Sequence, residues 1–143
     1  MDFTDALYIL IAALWAGIVL GVSFLAAPTK FGAASLSHPM ALDVGQRTFR
    51  ILLRTEFGFA LALGVVSALT PSHQARLVAW AVLTIVVTLQ YLWLWPILNQ
   101  HAQAIIDGKT PSPQSHHKTY IMIEAAKAAL LIGLALIALL RLV

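Results

Sequence analysis

Three ionisable side chains lie inside segments that are otherwise apolar: Glu56, Glu124 and Lys127. In a bilayer each such side chain costs on the order of 2.5–3.5 kcal/mol, so these groups are usually paired, turned inward and functional. A lysine between two carboxylates would neutralise one of them and leave one net negative charge. The three residues therefore predict a site that binds a solute or couples to protons.

The last apolar segment has the clearest pattern. His117, Tyr120, Glu124 and Lys127 recur at i, i+3, i+7 and i+10, within about 80° of one helix face. Glu124 and Lys127 can pair directly, and Lys127 can reach Glu56 if the second and fourth segments touch. These five residues form the predicted intramembrane polar site. A purely structural ion network is the alternative, because paired charges can exist for helix pairing alone.

The second segment separates its charges by face. At 100° per residue, Arg47, Arg50 and Arg54 share one face and Glu56 lies nearly opposite. We expect the arginines to contact anionic lipid headgroups and Glu56 to face the bundle interior. Glu56 could alternatively serve only as a hydrogen-bond partner for a neighbouring helix.

An aromatic and hydroxyl stripe follows one face of the third segment. It could line a path for an apolar or cationic ligand. The alternative is that its tryptophans anchor the membrane interface and its threonines bond to their own helix. The stripe comprises Trp80, Thr84, Thr88, Tyr91 and Trp95. Gln90 is a further polar candidate.

Metal and cofactor chemistry receive little support from the sequence. His101, His116 and His117 could together bind zinc or copper, but adjacent loop histidines are usually only solvated. The sequence has no cysteine, which excludes disulfides and thiolate sites. We therefore predict no catalytic, cofactor-binding or metal-binding residue.

Four apolar runs of spanning length must position these side chains, and the sequence is 60% hydrophobic and 10% charged. Each run can cross a hydrocarbon core of about 30 Å as a helix. We predict an all-α integral membrane protein, a single four-helix antiparallel bundle over residues 1–143. Pro28 should break the first helix, Thr70-Pro71-Ser72 should close the second, and Ser115 should cap the fourth. The predicted helices are 6–27, 41–69, 75–105 and 116–141.

Small residues recur four apart on the first two helices, a spacing that lets helix backbones approach closely. Packing within one chain is favoured over a dimer seam. The residues are Ala13, Gly17 and Gly21 on the first helix and Ala60, Gly64 and Ala68 on the second.

Basic residues outside the apolar cores predict the orientation. Six lie in or beside loops one and three and two on the opposite side, which places these loops in the cytoplasm and both termini outside. We expect a bacterial inner membrane and no nucleic-acid partner. The six are Lys30, Arg47, Arg50, Arg54, Lys109 and Lys118, and the two are Arg76 and Arg141.

The stretch Leu14-Trp15-Ala16-Gly17, followed by Ser23-Phe24, Ala27-Pro28 and Phe31, resembles the opening of the transmembrane-protein-205-like family. That family consists of compact four-helix membrane proteins with a polar signature at the start of the last helix. The signature contains a histidine, and His117 matches it. The resemblance covers the first helix best and implies the architecture more than an activity.

Three functions fit these observations. The first is transport or permeation of a small solute by an oligomer, with the Glu, Lys and Tyr site inside the membrane. The second is a non-catalytic accessory or assembly subunit of a membrane complex. The third is an intramembrane enzyme on a lipid-like or quinone-like substrate, with His117, Tyr120 and Glu124 as acid–base groups.

Overall fold

Four long helices make up the chain in a computed structural model that describes residues 2–70 and 74–141. Each is long and apolar enough to span a membrane, and no strand occurs in the described ranges. The prediction of an all-α, four-helix integral membrane protein is confirmed. The helices are α1 (Phe3–Phe31), α2 (His38–Leu69), α3 (Gln74–Ile106) and α4 (His116–Leu140).

The distribution of polarity is that of a protein surrounded by lipid. Large apolar side chains cover the outside, where Leu25, Leu61 and Met122 are each about 70% exposed. Glutamates and a lysine lie inside, with Glu56 fully buried. Lipid tails tolerate the apolar exterior, whereas unpaired charges must avoid them.

Helix α1 packs against α2 and α4, and α2 packs against α3. The apolar core occupies the half of the bundle away from loop one (residues 32–37) and loop three (residues 107–115), and includes Trp15, Leu63 and Leu131. An ion pair closes the end of this half: Arg76 Nη2 lies 2.6 Å from Asp5 Oδ1. The two ends of the bundle therefore differ, one closed by an ion pair and the other bounded by two loops.

The prediction that Pro28 breaks the first helix is wrong. Helix α1 continues to Phe31 because a π-helical segment, Leu20–Ala26, ends two residues before the proline. Pro28 thus sits in the first turn of a new α-helical segment, where its missing N–H leaves no bond unmade. Helix α3 repeats the arrangement, with a π-helical segment at Gln90–Leu94 and Pro96 two residues after its end.

The starts of α2 and α4 differ from the predictions, α2 in its first residue and α4 in its cap. Helix α2 begins three residues earlier than predicted, because the Ser37 side chain accepts a hydrogen bond from Met40 N. Ser115 precedes α4 but its side chain makes no capping bond; its carbonyl accepts from Lys118 N and Thr119 N instead. The turn predicted at Thr70-Pro71-Ser72 lies outside the described residues after Thr70.

The two stripes of small residues have different surroundings. A Cβ on Gly64 would lie 2.6 Å from Trp80 Nε1, so this glycine allows α3 to pack closely on α2. A Cβ on Gly17 or Gly21 would meet no atom of the described residues within 4 Å. Packing within one chain therefore holds for Ala60 and Gly64 of the α2 stripe, whereas Ala68 and, on α1, Ala13 and Gly17 are exposed.

Candidate functional site in the bundle centre

Lys127 is the centre of a buried polar cluster. Its Nζ lies 2.6 Å from Glu56 Oε2 and 2.6 Å from Glu124 Oε1, and it donates a 2.8 Å hydrogen bond to Gln90 Oε1. Both carboxylate side chains are fully buried, and the Lys127 side chain is 1% exposed. The predicted burial and mutual contact of Glu56, Glu124 and Lys127 are confirmed.

Three more hydrogen bonds hold the two carboxylates. Trp15 Nε1 donates to Glu56 Oε2 at 2.9 Å. Ser23 Oγ and Gln90 Nε2 donate to Glu124 Oε2 and Oε1, at 2.7 and 2.8 Å. Trp15 and Ser23 belong to α1, Glu56 to α2, Gln90 to α3 and Glu124 to α4. The cluster therefore joins all four helices.

The cluster lies near the midpoint of the bundle, and the π-helical segments help to form it. Gln90 is equally far from Gln74 and Ile106, the ends of α3, and is the first residue of its π-helical segment. Ser23 lies within the π-helical segment of α1. Both segments thus direct a polar side chain to Glu124, and π-helical turns often occur at functional sites.

The charges of the cluster do not balance. Two carboxylates face one ammonium group, which leaves a formal charge of −1 where all three side chains are buried. Glu56 Oε1 is buried and has no hydrogen-bond partner among the described residues. An unpaired acceptor in a low-dielectric interior is costly, and a proton or a cation is the partner that its chemistry fits.

Tyr120 and His117 are not joined to this cluster. Tyr120 is buried and packs edge-on against Phe49, with ring centroids 5.2 Å apart, but its hydroxyl has no hydrogen-bond partner in the described ranges. His117 is exposed and makes no hydrogen bond to Glu124 or Lys127. The acid–base row of His117, Tyr120 and Glu124 expected for an enzyme is therefore not assembled.

The Tyr120 and His117 side chains instead line a cavity of about 600 Å³ that is bounded by all four helices near loops one and three. We call it the loop-side cavity. Its wall is mostly aromatic and aliphatic, and its inner end includes Ser23, the residue that bonds to Glu124. Its polar lining residues also include Lys30, Asn99 and His101. A second, apolar cavity of about 310 Å³ between α3 and α4 reaches Gln90 and Lys127.

The predicted pathway stripe on α3 is mostly used in packing. The Thr84 and Thr88 hydroxyls donate to carbonyls of their own helix at 2.8 and 2.7 Å, which satisfies them without a ligand. Trp80 Nε1 donates to the Ala60 carbonyl, and Tyr91 packs edge-on against Phe57. Of the five predicted pathway residues, Trp95 alone lines either of these two cavities.

The arginine face has the expected exposure, whereas His101 and His116 are half-buried rather than simply solvated. Arg47, Arg50 and Arg54 are all exposed, opposite the buried Glu56, and Arg47 pairs weakly with Asp43 at 3.5 Å. Contact of the arginines with lipid headgroups stays a prediction. Within residues 2–70 and 74–141, no three His, Asp or Glu residues are grouped to hold a metal ion.

Comparison of the chain with protein-family models, with curated proteins and with solved structures found no match. The resemblance to the transmembrane-protein-205-like family stays a prediction.

Sequence reasoning missed two members of the cluster, Trp15 and Ser23. Trp15 entered the sequence analysis only as part of the family resemblance. Its type did not indicate a buried site, because tryptophans in membrane helices usually mark the interface. Ser23 stands alone in an apolar run, and the π-helical segment changes its angular position from the one that 100° per residue predicts. A polar residue within a few positions before a helix proline is the signal that both Ser23 and Gln90 share.

Proposed function

We propose that the protein is a small membrane transport protein that works as an oligomer and couples solute permeation to proton movement at the Glu56–Lys127–Glu124 cluster. The observation that supports the proposal is the surplus carboxylate at the bundle midpoint, where Glu56 Oε1 has no hydrogen-bond partner among the described residues. A proton on this oxygen makes the cluster neutral, and its departure restores the charge. Intramembrane carboxylates with this property are typical of proton relays.

The pathway requires more than one copy, because a single bundle of four helices is small for a continuous path. We propose that the protein spans a bacterial inner membrane with both termini outside and loops one and three in the cytoplasm. The six-to-two distribution of lysine and arginine supports this orientation. In this orientation Arg47, Arg50 and Arg54 are available to anionic headgroups of the cytoplasmic leaflet.

Proton flux in proteoliposomes tests the coupling. A potassium gradient with valinomycin imposes a membrane potential, and an internal pH-sensitive dye reports proton entry. We expect entry above that of empty liposomes with the unchanged protein, and its loss both with Glu56→Gln, which replaces the carboxylate that carries the unpaired oxygen, and with Glu124→Gln. Asp43→Asn, which removes a half-exposed carboxylate of α2 outside the cluster, is the matched control and should keep the flux. Equal flux with Glu124→Gln and the unchanged protein would contradict the proposal.

A specific observation also favours a second function, that of a non-catalytic assembly subunit. All three N–H donors of Lys127 are used, by Glu56, Glu124 and Gln90. A saturated network of this kind is sufficient to specify helix pairing. If the protein is an assembly subunit, Glu124→Gln should lower expression or stability, and any loss of flux should match that loss of folded protein. If it is a transport protein, Glu124→Gln should give a folded protein without flux.

A further inference from the structure

We propose that the loop-side cavity is a binding site for a single-chain amphiphile with an anionic headgroup, a carboxylate or a phosphate. The acyl chain lies against the aromatic and aliphatic wall, and the headgroup bonds to Lys30 and Tyr120. The binding site follows from the cavity alone; that its ligand is also the transported substrate rests on the proposed function.

The charge of the lining selects an anion. Lys30 and three histidines line the cavity, and no aspartate or glutamate does so within the described ranges. Lys30 forms no ion pair with any residue in those ranges: its Nζ lies over the rings of Phe31 and Phe49, 5.1 and 5.3 Å from their centroids. A half-buried ammonium without a carboxylate is open to an anionic ligand.

Two residues of the lining also carry a buried polar atom that has no hydrogen-bond partner among the described residues. These are the Tyr120 hydroxyl and Asn99 Oδ1, in residues that both line the cavity. Buried polar atoms are nearly always hydrogen-bonded, and exceptions need an explanation. The Tyr120 hydroxyl can donate to a carboxylate or phosphate headgroup, whereas Asn99 Oδ1 only accepts, so an anionic ligand explains the first atom and not the second.

Lys30 and Tyr120 belong to the same part of the cavity because both contact Phe49. The Phe49 centroid lies 5.3 Å from Lys30 Nζ and 5.2 Å from the Tyr120 ring centroid. Lys30 comes from the end of α1, Phe49 from α2 and Tyr120 from α4. The two polar side chains, from α1 and α4, therefore flank one aromatic ring of α2 at the end of the cavity beneath loops one and three.

The rest of the lining fits an acyl chain. Phe24, Leu42, Trp95, Leu98 and Ile121 contribute apolar wall. The volume of about 600 Å³ lies within the range of about 300–1,000 Å³ that is usual for small-molecule sites. An apolar wall with few convergent polar groups is the usual composition of such a site.

Quenching of tryptophan fluorescence by a brominated fatty acid tests the site, because Trp95 is part of the wall. The full-length protein in phosphatidylcholine nanodiscs is titrated with 9,10-dibromostearate and, as the neutral match, with the corresponding dibrominated alcohol. We expect saturable quenching by the acid that is absent for the alcohol and is lost in Trp95→Phe. Competition by oleate or by oleoyl lysophosphatidate identifies the headgroup, carboxylate or phosphate.

Two variants test the Lys30 and Tyr120 side chains. Lys30→Gln should weaken binding of the acid about tenfold, the loss expected for one charge-assisted hydrogen bond. Lys109→Gln, an exposed loop-three lysine that does not line the cavity, is the matched control and should bind like the unchanged protein. Tyr120→Phe removes the hydroxyl with little change in shape and should also weaken binding, which keeps the test decisive if Lys30→Gln folds poorly.

Three results would overturn the site: equal saturable quenching by the acid and the alcohol, unchanged quenching in Trp95→Phe, or equal weakening by Lys30→Gln and Lys109→Gln. The titration uses no gradient, so it is independent of proton flux. Acid binding without any flux would leave the site in place and contradict the proposed function, whereas flux without acid binding would do the reverse.

Discussion

Lys127 Nζ and Glu56 Oε2 lie 2.6 Å apart in the centre of the bundle and connect α4 to α2. Glu124 lies equally close to the same ammonium group. Lys127 is therefore the one cation that both carboxylates of the cluster share. The two carboxylates differ in how many other hydrogen bonds they accept. Glu124 also accepts bonds from Ser23 and Gln90, whereas Glu56 accepts one from Trp15 and has one oxygen without a partner in the described ranges.

Lys127→Met should be the most damaging single change in the cluster. It leaves two buried carboxylates without a cation, and breaking a buried ion pair in this way costs about 3–5 kcal/mol. Adding Glu56→Gln to Lys127→Met removes one of the stranded charges and should recover part of the loss. Unfolding of the purified protein by denaturing detergent measures both variants, with Lys109→Met as the exposed-lysine control. A double variant whose loss equals the sum of the two single losses would refute the pairing.

Ser23→Ala should lower the free energy of unfolding by about 1.5–3 kcal/mol, the usual contribution of a hydrogen bond to a charged group. The reason is that Ser23 donates to Glu124 Oε2 and joins α1 to α4. Thr88→Val is the matched control, because the Thr88 hydroxyl bonds only to its own helix, and it should change stability little. Thermal unfolding in the same detergent compares the two. Equal losses would show that the Ser23 bond contributes nothing specific.

The sequence predicts the cluster where regular helical geometry holds and fails where it does not. Glu124 and Lys127 are three apart on a regular stretch of α4, and Glu56 lies opposite three arginines on α2, so their inward positions follow from 100° per residue. Ser23 lies in a π-helical segment, where that angle no longer applies. The same segment explains why α1 passes through Pro28. The loop-side cavity depends on how four helix ends diverge, which no local pattern specifies.

Two glycines at the same kind of spacing should respond in opposite ways to alanine. Gly64→Ala forces the Trp80 indole away from α2 and weakens its 2.7 Å hydrogen bond to the Ala60 carbonyl. Overpacking of this kind costs about 1–3 kcal/mol. The new methyl group of Gly17→Ala meets no atom within 4 Å in the part of the chain that the structure describes, so the variant should leave the monomer as stable or up to about 1 kcal/mol more stable. Thermal unfolding measures both, and a loss with Gly17→Ala confined to an oligomeric form would identify the α1 stripe as a seam between copies.

Labelling of single cysteines tests the orientation of the bundle, since the native sequence has none. Ser112→Cys lies in loop three and Gln74→Cys at the start of α3, both exposed and at opposite ends. If loops one and three are cytoplasmic, a membrane-impermeant maleimide added to intact cells should label Gln74→Cys alone. Both should react after the membrane is permeabilised, which confirms that Ser112→Cys is accessible. Labelling of Ser112→Cys from outside intact cells would reverse the orientation, and it would move the loop-side cavity and its predicted anionic ligand to the outer leaflet.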